Sequence, residues 1–347
     1  MRPPLPVGYA GFGACLPSTV LSNHDLERLV DTSDEWIVRR TGIKRRRILA
    51  EGESILWMAT EAARRALDDA GIDASEIDDI RVGVNTWGRF PSLATQLQAE
   101  LGAHGASAAD VSAGCAGFIY AVEEAYNKIV VEKIRDDREL TSLVVGVDGL
   151  SHITNWRDRQ TCVLLGDGAG AVVLRHVPEG GILSIHTSAD GRYGDALYSD
   201  SVLETQWDPE AEQSFSHKQR GTRPYLHMDG RKVYGIAVRS MVDDVRTVIA
   251  KYNRNNPEPI GVEDIAFVWP HQANLRIVEK VAEKLEVPLD RVYTNGIVEF
   301  GNTSTASIPL GYCDPDARPN APAGPGFEID VAFGAGFASG AILRQVV

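Results

Sequence analysis

The stretch Val111-Ser-Ala-Gly-Cys-Ala-Gly-Phe-Ile-Tyr120 joins an extended segment to a helix through a glycine turn, with a cysteine at the junction. Downstream of it, apolar residues recur at helical spacing to about Val130, which predicts an amphipathic helix with one buried face. Cys115 would lie in the first turn of that helix, where unpaired N–H groups and the helix dipole favour a thiolate. The stretch therefore predicts either a poised nucleophile or, since most free cysteines are packing residues, a small buried side chain.

Helices and short β-branched runs alternate along the rest of the chain, which predicts an α/β fold. The predicted helices cover 54–70, 116–130, 233–252 and 275–285, and the predicted strands cover 80–84, 142–147, 161–165, 171–174 and 265–269.

Two motifs of the first half return in the second half in the same order. The run 75–86 resembles 262–272, and the glycine-rich run 166–174 resembles 334–343. Ile80 precedes Cys115 by 35 positions and Ile265 precedes Asn302 by 37, so Asn302 takes the place of Cys115 in the second half. This self-similarity predicts a duplicated α/β unit, with one half over 1–180 and the other over 181–347.

The composition excludes several classes of protein. The 347 residues are 44% hydrophobic and 24% charged, typical of a globular protein, and the net charge of −13 disfavours nucleic-acid binding. The four cysteines lack metal or disulfide spacing, so we expect no disulfide framework, no metal site and a reducing, cytoplasmic setting. Neither a signal peptide nor a membrane span of ~18 apolar residues is expected. The glycine clusters do not open helices, so NAD binding is not expected.

One basic segment, Arg39-Arg-Thr-Gly-Ile-Lys-Arg-Arg-Arg47, contrasts with the acidic chain. It overlaps a short predicted helix through Trp36, capped by Thr32 or Ser33 and ended by Gly42. The segment is either a solvated basic loop or an anion site, in which an exposed indole stacks on a planar base beside phosphate-binding guanidinium groups.

Two further motifs lie in the second half: Pro270-His-Gln-Ala-Asn274 after a strand, and Gly301-Asn-Thr-Ser-Thr-Ala-Ser307 opening a helix. Together with Cys115, the run 32–43, the run 165–171 and Phe333-Gly-Ala-Gly-Phe337, these motifs resemble the thiolase-superfamily condensing enzymes. The closest resemblance is to the β-ketoacyl-(acyl carrier protein) synthase III family, and it runs almost end to end. It implies a thiolase-like fold of duplicated βαβ halves, layered α-β-α-β-α.

The resemblance also implies an acyltransferase of fatty-acid or polyketide biosynthesis. Cys115 would take an acyl group from a thioester of coenzyme A or a carrier protein. A malonyl-type thioester would then lose CO₂, and His271 and Asn302 would donate hydrogen bonds to the enolate for Claisen condensation. The backbone N–H groups of Cys115 and Ala335 would hold the tetrahedral oxyanion.

The implied ligands are thioesters, with no metal and no cofactor besides them. The adenine of coenzyme A would stack between Trp36 and Arg159, with Thr32 and Arg40 nearby and Asn274 at the pantetheine end. The implied partners are an acyl carrier protein and a second copy of the chain, in a homodimer, and neither nucleic acid nor a membrane.

Four features depart from the family pattern. Gly235 and Glu283 stand where lysines are common on the carrier-docking face, although Arg276 and Lys284 remain. The connection 195–227 is long, and it carries Trp207 and Phe215. The run 313–326 is rich in proline, which excludes a regular helix. The run 85–91 near the expected acyl pocket is also unusual.

Because of these departures, the sequence does not decide which substrate the protein uses. The alternatives are a specialised ketosynthase that joins two β-ketoacyl thioesters and an acyltransferase that acts on a hydroxyl or amine without decarboxylation. A third alternative is a non-catalytic partner subunit, which would not need an intact Cys115, His271 and Asn302.

Overall fold

Strands and helices alternate in the structure, a computed structural model that describes residues 6–200, 225–254, 256–317 and 325–347. The strands are β1 (Val7–Cys15), β2 (Thr19–Ser22), β3 (Arg45–Ile48), β4 (Asp79–Gly83), β5 (Ser107–Val111), β6 (Ser142–Gly149), β7 (Asp167–His176), β8 (Gly181–Ala189), β9 (Leu197–Ser199), β10 (Leu226–Met228), β11 (Ile265–Pro270), β12 (Gly326–Phe333) and β13 (Ala338–Val346). The helices are α1 (Asn23–Leu26), α2 (Asp34–Thr41), α3 (Ile55–Ala70), α4 (Leu93–Leu101), α5 (Gly117–Asp136), α6 (Gly230–Asn253), α7 (Leu275–Leu285), α8 (Asn295–Phe300) and α9 (Ser307–Tyr312).

Local capping chemistry explains where the predicted helices begin and end. The Ser54 hydroxyl accepts a hydrogen bond from the third residue of α3, and Gly71 ends that helix with a left-handed φ of 64°. Ser33, rather than Thr32, caps α2, and Gly42 ends it in the same way. Helix α5 is longer than predicted, because the amphipathic pattern fades after Val130 while the backbone remains helical to Asp136.

The predicted strand at 161–165 is wrong. These residues form turns around Asp158, whose backbone oxygen accepts from the N–H groups of Thr161 and Cys162. The carboxylate of Asp158 also accepts a hydrogen bond from the Thr161 hydroxyl at 2.7 Å. The apolar side chains of Cys162 and Val163 pack in a satellite cluster around α2, so the apolar run reflects burial and not sheet pairing.

The strands form two main sheets with the same plan. The first sheet has the order β1-β7-β6-β4-β5, and the second has the order β8-β13-β12-β11. In both sheets the first three strands pair antiparallel and the next pair is parallel. The fifth position of the second sheet is a single parallel bridge between Val268 and Val292. Strand order and strand direction therefore repeat, as expected of a duplicated unit.

Helices cover both sheets and also separate them. One apolar core joins α3 and α4 to the outer face of the first sheet, and a second joins α6 and α7 to the outer face of the second. A third core lies between the sheets, where Phe118 of α5 and Ile308 of α9 pack against strands of both. The predicted α-β-α-β-α layering is thus confirmed.

Two segments with unusual sequence lie partly outside the described residues. Trp207 and Phe215 are outside them, while β9 and β10, which flank that segment, pair antiparallel. Of the proline-rich run, residues 318–324 are outside them, and α9 ends before it at Tyr312.

Candidate active site

Cys115 lies between β5 and α5, at the carboxyl edge of the first sheet. Helix α5 begins at Gly117 with Ala116 as its cap residue, so Cys115 precedes the first turn rather than lying in it. Gly114 has a φ of 55°, a left-handed conformation that suits glycine. A Cβ atom at Gly114 would clash with the backbone of Ala335, and one at Gly334 would clash with the Cys115 nitrogen. The structure thus packs the backbones of Cys115 and Ala335 closely together.

The Cys115 sulfur and the Asn302 side chain are linked through Ser304. The Ser304 hydroxyl donates to Cys115 Sγ at 3.3 Å, and the Ser304 N–H donates to Asn302 Oδ1 at 2.9 Å. Because Oδ1 accepts this hydrogen bond, Nδ2 is the end of the Asn302 amide that can donate to a ligand. Ser304 itself has a φ of 53°, which is uncommon for a residue with a side chain and is typical of constrained functional sites.

Burial of Cys115 opposes the thiolate that the sequence favoured for the substrate-free protein. Burial raises the pKa of the Cys115 thiol to about 12, although the residue is partly exposed. The hydrogen bond from Ser304 lowers that pKa and the negative charge of Asp148 raises it, but both effects are smaller than the desolvation of the charged sulfur. Because Cys115 lies ahead of the first helical turn, the helix dipole acts on it less than predicted.

His271 follows β11 and is 1% exposed. Its Nδ1 lies 2.7 Å from the Ser307 hydroxyl, and its ring meets Phe333 edge to face at 5.6 Å between centroids. Its Nε2 is buried and has no hydrogen-bond partner among the described residues. Burial lowers the pKa of His271 to about 3, so the imidazole is neutral at physiological pH.

Phe333 and Ser307 place His271 in the region of Cys115. Phe333 directly precedes Gly334, whose backbone touches the Cys115 nitrogen, and Ser307 lies three residues after Ser304. Cys115 comes from the segment after β5 of the first sheet, whereas His271 follows β11 of the second sheet and Ser304 follows α8. The chain thus brings the nucleophile candidate and its candidate partners together from distant sequence positions.

A second network lies behind Cys115 and was missed by sequence reasoning. Asp148, at the end of β6, is fully buried and accepts hydrogen bonds from the backbone N–H groups of Asn85 and Thr86 at 2.8 and 3.0 Å. It also accepts from the Thr305 hydroxyl at 3.2 Å. Asp148 lies one residue beyond a strand predicted from sequence, at the sheet edge where functional groups gather, and that position is the signal that could have found it.

Arg159 lies directly over the ring of Trp36, and these are the two residues between which adenine is expected to stack. The Arg159 guanidinium carbon lies 4.5 Å from the Trp36 ring centroid, and that of Arg40 lies 6.0 Å away. Arg159 also approaches Asp31, with 3.5 Å between the charged atoms. The indole is half-buried against the α2 cluster rather than exposed, which leaves one face to the guanidinium.

Thr32 and Asn274 flank the same surface. The Thr32 hydroxyl is buried and has no partner in the part of the chain that the structure describes. Asn274 caps α7, where its Oδ1 accepts from the Arg276 N–H at 2.9 Å, and its Nδ2 donates to the Arg40 carbonyl at 3.3 Å. Asn274 therefore ties α7 to the end of α2.

All four cysteines are free thiols. Within the described ranges, no three His, Cys, Asp or Glu side chains are grouped so that they could hold a metal ion. Across those same ranges, none of the helices combines the length and the apolar character needed to cross a bilayer.

The layered fold and the cysteine between its two sheets define a thiolase-like condensing enzyme, an acyltransferase. Residues 109–191 match the family described as 3-oxoacyl-[acyl-carrier-protein (ACP)] synthase III, and residues 257–346 match its C-terminal part. The chain belongs to the 3-oxoacyl-[acyl-carrier-protein] synthase III family.

Individual relatives agree with this assignment. The chain is 43% identical over 301 residues to the beta-ketoacyl-[acyl-carrier-protein] synthase III of Thioalkalivibrio sulfidiphilus, covering 86% of this chain and 87% of the relative. The solved synthase III of Aquifex aeolicus VF5 has 38% identity and a TM-score of 0.84, covering 98% and 100% of the two chains. The priming beta-ketosynthase of the R1128 polyketide pathway has 32% identity and a TM-score of 0.83, covering 100% and 98%.

Proposed function

We propose that the protein transfers an acyl group from a thioester to Cys115 and then condenses it with a malonyl-type thioester, with loss of CO₂. One observation carries the proposal: Cys115, Ser304 and Asn302 are joined by hydrogen bonds beside a neutral, buried His271. A simple hydrolase or transferase needs a base for its acceptor, whereas these groups present donors to an oxygen.

In the first half-reaction, the Cys115 sulfur attacks the thioester carbonyl carbon. Since both Cys115 and His271 are uncharged in the free protein, no ion pair is present beforehand, and the thiol loses its proton as attack proceeds. We assign the oxyanion to the N–H groups of Cys115 and Ala335. Collapse of the tetrahedral intermediate breaks the original C–S bond, and the departing thiolate takes the proton.

In the second half-reaction, the C–C bond to the malonyl carboxylate breaks and releases CO₂. The electron pair forms an enolate, whose oxygen would accept from His271 Nε2–H and Asn302 Nδ2–H. A Ser307 hydroxyl that donates to His271 Nδ1 keeps the ring proton on Nε2, as this step requires. The enolate carbon attacks the acyl group, the C–S bond to Cys115 breaks, and the sulfur takes a proton from solvent.

We propose coenzyme A or carrier-protein thioesters as donors and an acyl carrier protein as the partner. Trp36 and Arg159 would enclose the adenine, with Thr32, Arg40 and Asn274 along the path to the site. The stacked guanidinium and indole support this assignment, since a flat base can be inserted between two flat groups. Adenine entry would need Arg159 to leave Asp31.

The product would start a fatty-acid chain. A polyketide starter is the second candidate, supported by the similarity to the priming beta-ketosynthase, although the primary synthases have similar scores. Joining of two β-ketoacyl thioesters remains an alternative with the same residues. A panel of donor thioesters, read by the intact mass of the acylated protein, separates these substrates.

We further propose that the protein works as a cytoplasmic homodimer without a metal or an organic cofactor. Light scattering after size exclusion tests the dimer, and a monomer would refute it. Turnover after exhaustive dialysis against a chelator tests the cofactor proposal, and loss of turnover that added metal restores would refute it.

The decisive experiment combines two measurements on wild type and Cys115→Ala. Intact mass after incubation with an acyl-coenzyme A should show a covalent gain in wild type only. Release of ¹⁴CO₂ from a malonyl thioester carrying a labelled carboxylate should accompany formation of the condensed product. Acylation without CO₂ release would favour the simple acyltransferase, and no acylation would favour the non-catalytic subunit.

A further inference from the structure

We infer that Asn85 is a positioning residue, anchored by Asp148, that orients the Gly114–Cys115 peptide so that its N–H faces the reacting carbonyl. The inference rests on the proposed function, which gives that N–H to the oxyanion. Asn85 is not in any of the motifs by which the chain resembles its family, and it begins the unusual run 85–91.

The side-chain amide of Asn85 reaches two acceptors at the site. Its Nδ2 donates to the Gly114 carbonyl at 3.1 Å and to Asp148 Oδ2 at 3.0 Å. These two bonds use both hydrogens of the amide. The Ser304 hydroxyl lies 3.4 Å from the same nitrogen, at the limit of a hydrogen bond.

The geometry of a peptide explains why the Gly114 carbonyl matters. The C=O of Gly114 and the N–H of Cys115 belong to one planar trans unit and point to opposite sides of it. A donor that fixes the carbonyl therefore fixes the direction of the N–H. It also polarises the unit, which makes the N–H a stronger donor to an oxyanion. The Gly117 N–H also donates to the Gly114 carbonyl, at 3.0 Å, so the Asn85 amide is a second donor to this carbonyl. Gly114 has a φ of 55° and no side chain, so these two donors, rather than side-chain packing of its own, fix the orientation of the peptide.

Asp148 holds Asn85 rigidly enough for this task. Its Oδ1 accepts from the backbone N–H groups of Asn85 and Thr86 and from the Thr86 hydroxyl at 3.0 Å, while its Oδ2 accepts the Asn85 amide. The Thr305 hydroxyl, next to Ser304, bonds the same carboxylate. One buried carboxylate thus anchors both the Asn85 loop and the segment that carries Ser304.

The other side of the peptide is restrained by the second half of the chain. A Cβ at Gly334 would clash with the Cys115 nitrogen, so the backbone of that loop lies directly against the peptide. The Gly114–Cys115 unit is therefore held between Asn85 on its carbonyl side and the Gly334 loop beside its nitrogen.

Two reactions of the same sulfur separate this role from a general effect on Cys115. Acylation by a thioester builds an oxyanion, whereas alkylation by iodoacetamide displaces iodide at a saturated carbon and builds none. An effect through the Cys115 N–H slows acylation alone, and an effect on the thiol slows both. Asn85 is exposed, and its backbone N–H would still donate to Asp148 after substitution of the side chain.

The experiment measures both rate constants by intact mass in wild type, Asn85→Ala, Asn85→Asp and, as a matched control on the exposed face of α5, Asn127→Ala. We expect acylation to fall about tenfold to hundredfold in Asn85→Ala, below the ~10²–10³ of a fully lost oxyanion donor. Asn85→Asp should lose at least as much, because its carboxylate cannot donate and faces Asp148. Alkylation should stay within about threefold of wild type in Asn85→Ala and Asn127→Ala. In Asn85→Asp the added carboxylate raises the pKa of Cys115, as Asp148 does, so alkylation should also slow in that variant.

Equal losses in acylation and alkylation in Asn85→Ala, or acylation at the wild-type rate in both Asn85 variants, would overturn the inference. If both Asn85 variants and the wild type are acylated at the same normal rate, the inference fails and the proposed function stands. A wild type that no thioester acylates would overturn the proposed function, and the inference would fall with it.

Discussion

Removal of the Ser304 hydroxyl tests how the protein controls the charge of Cys115. The hydroxyl donates to Cys115 Sγ at 3.3 Å and is the largest influence that lowers the pKa of the thiol. A hydrogen bond to a charged group contributes about 1.5–3 kcal/mol, and one pKa unit corresponds to about 1.4 kcal/mol. Because the residue is partly exposed, we take the lower end and expect Ser304→Ala to reduce the thiolate fraction about tenfold.

The assay is alkylation by iodoacetamide, followed by intact mass between pH 7 and pH 10. Since burial raises the pKa of Cys115 to about 12, the wild-type rate should rise about tenfold per pH unit without a plateau. The Ser304→Ala curve should run parallel and about tenfold lower at every pH. Ser304→Gly suits the φ of 53° and should give the same rate as Ser304→Ala, whereas Ser307→Ala should match wild type.

Two outcomes would refute this reasoning. Alkylation of Ser304→Ala at the wild-type rate would show that the hydroxyl does not stabilise the thiolate. A wild-type plateau near neutral pH would show that Cys115 is ionised in the free protein, and burial would then not dominate its pKa.

Four further predictions concern substrate binding, acid stability and two glycines. Trp36→Ala should raise the KM for an acyl-coenzyme A about tenfold, since stacking of a base contributes about 1–3 kcal/mol. In the same steady-state assays it should leave turnover of an acyl-pantetheine, which lacks the adenine, unchanged. Equal losses with both substrates would contradict adenine stacking. Burial lowers the pKa of His271 in the folded protein to about 3, whereas the imidazole has its ordinary pKa of about 6.5 in the unfolded chain. As pH falls below about 6.5, the unfolded chain therefore binds a proton at His271 that the folded protein does not, and the free energy of unfolding decreases. In urea titrations between pH 4 and pH 6, the free energy of unfolding of His271→Gln should therefore fall less steeply than that of wild type, by about 1.4 kcal/mol per pH unit, and parallel slopes would argue against burial of a neutral imidazole. Gly334→Ala should slow acylation at least ~10²-fold in a mass assay, because its Cβ would displace the Cys115 nitrogen; an unchanged rate would place the oxyanion elsewhere. Gly235 lies exposed within α6 with open space around it, so Gly235→Ala should raise the free energy of urea unfolding by about 0.5–1 kcal/mol at full activity, and a decrease would show that its surroundings are not open.

The elements that the sequence predicts well are those with local causes. Helix α3 carries its own cap at Ser54 and its own stop at Gly71, and α7 presents a clear apolar face, so both could be located from periodicity. The run 161–165 is apolar because Cys162 and Val163 pack in a satellite cluster. A short apolar run records burial, and only long-range pairing decides whether it becomes a strand.

For the candidate site too, residues in local motifs could be predicted from the sequence, whereas properties that depend on the folded chain could not. Cys115, His271 and Asn302 stand in short motifs, so the sequence alone could propose them as site residues. The charge of Cys115 could not be predicted, because it depends on how completely the folded chain removes water from the sulfur. The link between Asn85 and Asp148 joins residues 63 positions apart, and no periodic pattern records such a contact.

The high pKa of the Cys115 thiol affects its exposure to chemical damage. Peroxides and disulfides react with the ionised sulfur, and at neutral pH almost none is present in the resting protein. Burial should therefore protect the Cys115 sulfur from oxidation while no substrate is bound. Simple electrophiles should label it slowly for the same reason, and effective covalent inhibitors would need a carbonyl group that occupies the place of the thioester.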